Sequence, residues 1–107
     1  MAPQRCYTII YAPIVEEHLK KIEPRYYTLI REEIENQLSY EPTTETRNRK
    51  PLKRPVVFGA KWELRCGPGN CFRIFYRSDP ESDQVDILAI GEKRGNHFFI
   101  GGKELEL

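Results

Sequence analysis

Histidine and cysteine are scarce in this chain, and long apolar runs are missing altogether. There are two histidines, His18 and His97, and three cysteines, Cys6, Cys66 and Cys71. Cys66 and Cys71 flank "GPGN", but a CxxxxC pair without a second pair, and with two distant histidines, makes a poor zinc site. The odd cysteine count, in a chain without a secretion signal, argues against a disulfide framework. Reduced, partly buried thiols are expected, with no resident metal and no cofactor. No apolar run approaches the roughly 20 residues of a membrane-spanning helix. The opening "MAPQRCYTIIYAP" has no long apolar core followed by a small-residue cleavage site, so no signal peptide is expected. The expectation is a cytoplasmic protein with no membrane partner.

Negative charge is nearly absent from the middle third. Residues 47–77 carry nine basic side chains and one acid, Glu63, whereas residues 1–46 are net −3 and residues 78–107 net −4, giving +1 overall. Within this block "TRNRKPLKRP", residues 46–55, holds Arg47, Arg49, Lys50, Lys53 and Arg54 with no acid among them. A concentrated basic region in a balanced chain is the footprint expected for a polyanionic partner.

What is present fits one domain of 107 residues, with 39% hydrophobic and 31% charged residues. "RCYTIIY" (5–11) reads as a strand. Pro13 opens a helix on which Val15, Leu19 and Ile22 recur, and Pro24 opens a second whose stripe is Tyr27, Ile30, Ile34 and Leu38. "YEPTTETRNRKPLKRP" reads as a loop. The period then changes to two. "KWELRC" and "FRIFYR" alternate around the turn signal "GPGN", "QVDILAIG" is apolar enough for a central strand, "EKRGN" reads as a bend, and "HFFIGG" as a closing strand. The fold class is α+β, β-α-α-β-β-β-β: two helices on one face of a mostly antiparallel sheet, with the other face open. His18, within "EEHLKK", is expected to be structural.

The hairpin register follows from parity. Opposed residues in an antiparallel pair share a face, and both apolar sets (Trp62, Leu64, Cys66 and Phe72, Ile74, Tyr76) are even-numbered. The shortest compatible register opposes Cys66 with Phe72, Arg65 with Arg73, and Lys61 with Arg77. Like charges directly opposite one another are unfavourable in a sheet. Two arginines aimed at one spot on an open face suit an anion, which arginine holds with two parallel hydrogen bonds.

At this point "RKPLK" (49–53), "KWELRCG" (61–67), "FRIFY" (72–76) and "ILAIGEKRG" (87–95) resemble the RelE/ParE superfamily of bacterial and archaeal toxins. The resemblance runs from the first strand to "HFF". It implies a toxin encoded beside a cognate antitoxin, touching operator DNA only through the toxin–antitoxin complex. The RelE-like branch cleaves ribosome-bound mRNA without metal, by attack of the RNA's own 2′-hydroxyl, which leaves a 2′,3′-cyclic phosphate. By position the resemblance implies catalytic roles for Arg65, Arg73, Lys93 and Arg94, and His97, next to the place of a tyrosine in some relatives, is the candidate base, as histidines are in other members. Arg73 would contact the scissile phosphate, Lys93 or Arg94 would stabilise the leaving oxygen, and His97 would be the base. It implies that Lys50 and Lys53 rest on RNA backbone, and the basic charge of the segment and hairpin adds Arg47, Arg49, Arg54, Lys61 and Arg77 as expected RNA contacts. Two departures stand out. Glu63 replaces a strand lysine of some relatives and is an alternative base. Phe98 or Phe99 falls where some have a tyrosine. The alternatives are the ParE-like branch, which inhibits DNA gyrase by protein contact, and an inactive relative that retains antitoxin binding.

Overall fold

The computed structural model describes residues 6–54 and 58–106. Arg5 of the first predicted strand and Pro55 of the basic segment lie outside the described residues. The chain runs β1 (Thr8–Tyr11), α1 (Ile14–Leu19), a single 3-10 turn at Pro24–Tyr26, then α2 (Tyr27–Leu38). It continues through β2 (Arg49–Pro51), β3 (Trp62–Cys66), β4 (Phe72–Asp79), β5 (Gln84–Arg94), β6 (His97–Ile100) and β7 (Lys103–Leu105). Strand order is β2-β3-β4-β5-β6-β7, with β1 parallel to the first half of β5 and every other pair antiparallel. The fold is α+β with a mostly antiparallel seven-stranded sheet. Among the described residues no helix is long and apolar enough to cross a membrane.

Each apolar stripe goes where its period points. Ile30, Ile34 and Leu38 of α2, with Val15 of α1 and Ile22 of the segment after it, cover Leu64, Cys66, Phe72, Ile74, Tyr76, Val85, Ile87 and Ile90 of the sheet. The β3–β4 register opposes Cys66 with Phe72 and Arg65 with Arg73, as parity requires, leaving Gly67 to Cys71 as the turn. The ladder starts at Trp62, so Lys61 and Arg77 are not a ladder pair; the Lys61 amide donates to the Tyr76 carbonyl instead. Burial keeps the Cys66 thiol protonated, its pKa pushed up to about 12.

Between β4 and β5 the register slips, so that Phe75 pairs with Ala89 and Tyr76 with Ile87, leaving Leu88 as the extra residue of a bulge. The slip lets Ile87 and Ile90 both face the helices although their numbers differ in parity. It also explains why "QVDILAIG" reads as continuously apolar.

Four expectations need correction. The helix-free face is not open. Alternation turns Phe75 away from the helices, and a ring 1% exposed needs cover. Ala60, Ala89, Phe98 and Ile100 supply it in a second cluster flanked by Leu52, Phe58, Leu88 and Leu105. The "EKRGN" bend is mostly strand: β5 continues through Lys93 and Arg94, because β6 returns along its edge from Gly91 to Arg94. The basic loop contains strand β2, which adds an edge beside β3. And a seventh strand, β7, follows the glycine pair 101–102.

His18 closes a gap in the sheet. β1 leaves β5 at Ile87 and β6 joins it at Gly91, so the intervening edge has no strand partner. The Ile90 amide donates to His18 Nδ1 at 3.2 Å. The ring is 6% exposed, and burial holds its pKa below the ordinary histidine value.

Candidate functional site

Arg73 is brought by β4 to the face opposite the helices, between Arg65 on β3 and Gly91 on β5. The same alternation puts Lys93 on that face, two residues beyond Gly91. The β5–β6 turn and the β6–β7 ribbon then wall off a cleft of about 550 Å³ lined by Arg73, Lys93, Asn96, His97, Phe98, Glu104, Leu105 and Glu106. Two cations of the middle and C-terminal regions thus converge with one histidine.

The two facing arginines are not equivalent. Arg65 is tied to Glu63 Oε1 through Nε at 2.9 Å and Nη2 at 2.8 Å, and the Glu63 side chain is 8% exposed. Glu63 lies between Lys50 and Phe75 in the ladder. It absorbs the charge of Arg65, which relieves the repulsion that the register would otherwise impose. Arg65 does not line the cleft, and Glu63 is committed to Arg65 rather than turned to solvent as a base. Arg73 has no carboxylate partner among the described residues. Its Cζ sits 5.5 Å from the Phe98 ring centroid, and its Nε is buried with no hydrogen-bond acceptor.

His97 and Glu104 form the other feature of the cleft. His97 Nδ1–H donates to Glu104 Oε1, since a carboxylate only accepts. In a neutral ring that bond places the proton on Nδ1 and leaves the Nε2 lone pair free. Alternation assigns His97 to the other side of β6 from buried Phe98, so it meets the cleft at the exposed turn end of the ribbon.

Arg94 is separated from this group. It opposes His97 from β5 and lies on the helix side, away from Arg73 and Lys93, where Nη2 donates to the Lys21 carbonyl at 3.3 Å and to Glu92 at 3.0 Å. Its guanidinium also covers Phe99 at 5.4 Å. Strand alternation is the reason: only one of two consecutive residues can face Arg73.

The basic segment divides in the same way. Arg49 is 6% exposed, because its ladder partner Leu64 faces the helices. Its Nε donates to the Thr44 carbonyl at 3.1 Å and its Nη1 to the Gln37 carbonyl in the last turn of α2. It therefore caps a helix and is not presented to RNA, contrary to the expectation for this residue. Lys50 pairs loosely with Glu45 at 3.5 Å, and Arg77 with Asp86 at 3.3 Å. Arg47, Lys53, Arg54 and Lys61 are exposed, with no side-chain partner among the described residues.

Glu104, Glu106, Asn96 and Phe98 were not singled out as site residues from sequence. The signal for them was a second hairpin: Phe98 and Ile100, then a glycine pair, then Lys103 and Leu105, spaced for two short strands.

The fold has a solved counterpart. The chain is similar to a structure of the toxin–antitoxin complex RelBE2 from Mycobacterium tuberculosis, with 28% identity, a TM-score of 0.68, and coverage of 87% of this chain and 98% of that one. The chain has a RelE-like toxin fold. The likeness agrees with the motif resemblance. No protein-family model matches the sequence, and no curated protein matches it either.

Proposed function

We propose that this RelE-like chain is the toxin of a type II toxin–antitoxin pair and acts as a ribosome-dependent mRNA endonuclease. The observation that carries the reading is the cleft lined by Arg73 and Lys93 from the helix-free face and by His97 from the turn end of β6. The likeness to a toxin of a toxin–antitoxin complex supports a cognate antitoxin as the protein partner. Operator DNA would be met only through that complex.

In the proposed reaction the RNA 2′-oxygen attacks the adjacent phosphorus. The 2′-O–P bond forms, the P–5′-O bond breaks, and a 2′,3′-cyclic phosphate and a 5′-hydroxyl result. His97 Nε2 takes the 2′-hydroxyl proton, with Glu104 facing the imidazolium that forms. Arg73 holds the phosphate, and Lys93 stabilises the leaving oxygen, which takes a proton from water while the His97 imidazolium returns its proton to the hydroxide that results. Fixed cations in a walled cleft act without reorganising as negative charge develops. The nucleophile belongs to the substrate, so orientation and charge stabilisation are the protein's main tasks. Arg65 supports Arg73 from β3 through its pairing with Glu63, and Arg47, Lys50, Lys53, Arg54 and Lys61 supply sequence-independent phosphate contacts.

Primer extension on cellular messages after expression tests the reading. Cuts within ribosome-bound message are the expected result. Intact message with DNA damage would move the chain to the ParE-like branch, and neither outcome, with antitoxin binding kept, would make it an inactive relative.

A further inference from the structure

The Nε–H of Arg73 is out of contact with solvent and has no acceptor, although the residue lines an open cleft. Buried donors are nearly always paired, so this one needs a physical account. Three features explain it. The guanidinium lies over the Phe98 ring. Phe98 is itself fixed, 7% exposed and edge-on to Phe75 with centroids 5.9 Å apart at 84°. And Glu63, the nearest carboxylate along the strand pair, is already committed to Arg65.

Gly91 makes the arrangement sterically possible. It opposes Arg73 on β5, and a Cβ there would fall on Phe98 Cζ and within 2.8 Å of the Phe99 carbonyl oxygen. With no side chain at 91, the Phe98 ring lies down across β5 and reaches the flank of Arg73. A residue of any other type would lift the ring and uncover Nε.

An arginine can grip an anion side-on, through Nε and one Nη, or end-on, through both Nη groups. Side-on recognition is closed here. We propose that Phe98 is a positioning residue that seals Arg73 Nε and sets the guanidinium plane, so that Arg73 takes a phosphate end-on through Nη1 and Nη2. That the phosphate is RNA's rests on the function proposed above; the recognition geometry does not. End-on contact engages two non-bridging oxygens, which are equatorial during in-line displacement. Fixing their plane fixes the line along which the 2′-oxygen enters and the 5′-oxygen leaves.

The test is solution NMR of the free protein with 15N-labelled arginine, titrated with inorganic phosphate. In the unaltered protein the Arg73 Nη protons should shift on titration while Nε–H stays in place. Arg73 Nε–H should also exchange with water at least about tenfold more slowly than that of exposed Arg47. Phe98→Leu should erase that protection, bring Nε–H into the phosphate response and weaken phosphate binding about threefold. An Arg73 Nε–H that responds to phosphate as strongly as Nη, or exchanges as fast as that of Arg47, would overturn the proposal. So would a folded Phe98→Leu protein that leaves both readings unchanged. If Phe98→Leu does not fold, the readings on the unaltered protein still decide. None of them requires message cleavage, so a sealed Nε in a protein that cuts no message would sink the nuclease reading and keep the positioning role.

Discussion

Replacing Arg49 by alanine separates the two uses to which the basic segment is put. The residue is 6% exposed and donates to the carbonyls of Thr44 and Gln37. Gln37 belongs to the last turn of α2, whose carbonyls have no partner within the helix and carry the negative end of its dipole. Hydrogen bonds with a charged donor contribute about 1.5–3 kcal/mol each. The Thr44 bond belongs at the low end or below, because water can reach that exposed loop residue once the arginine is gone. The contact with Glu41, at 3.8 Å and with the Glu41 side chain 58% exposed, adds little. Arg49→Ala should therefore cost about 2–4 kcal/mol, which for a domain of this size lowers Tm by roughly 8–16 °C. Arg47→Gln, at an exposed position, should stay within about 0.5 kcal/mol. Thermal unfolding followed by circular dichroism measures both. If Arg49→Ala melts like the unaltered protein but binds ribosomes poorly, the residue is an RNA contact after all and the capping argument is wrong.

Arg73→Ala should lower message cleavage by on the order of a hundredfold while the fold is kept, and unchanged growth arrest by the folded variant would remove Arg73 from the mechanism. Glu104→Gln should let His97 populate both neutral tautomers, read from imidazole 15N shifts, and should slow cleavage by about tenfold or more through loss of the oriented base; a single unchanged tautomer would show that Glu104 does not orient the ring. Replacing Arg47, Lys50, Lys53 and Arg54 together by Gln should weaken ribosome binding with little sequence bias and flatten its salt dependence by about one unit of slope for each phosphate no longer neutralised. A salt dependence that stays the same would leave these four as a solvated surface. His18 should make stability depend on pH. Its folded-state pKa is lowered by burial, so as pH falls below about 6.5 the unfolded chain takes up the proton first. Stability is then full above that pH and declines below it, and the Ile90 amide would face a donor in place of an acceptor. Urea unfolding at pH 7.5 and 5.0 should show a decline that His18→Asn reduces; an equal decline in both proteins would refute the assignment.

Periodicity alone determined which side chains of α2, β3 and β4 meet across the helix–sheet interface. Ile30, Ile34 and Leu38 repeat at helical spacing, and Trp62 to Cys66 and Phe72 to Tyr76 alternate, so the core and the Arg65–Arg73 register follow from local geometry. The charge distribution likewise located the basic block before any fold was known. Three things were decided only in three dimensions, because each depends on a partner distant in sequence. Burial of Arg49 depends on the strand formed at residues 49–51 and on the end of α2, which a pattern of exposed-looking cations does not display. The different fates of Arg65 and Arg73 depend on Glu63 and Phe98, one taking up a charge and the other covering a donor. The separation of Lys93 from Arg94 depends on β5 continuing as a strand where composition suggests a bend, because β6 returns beside it and folds Phe98 over Gly91. Local patterning specifies faces, but charges and donors are sorted by whatever the opposite face and the returning chain bring within hydrogen-bond reach.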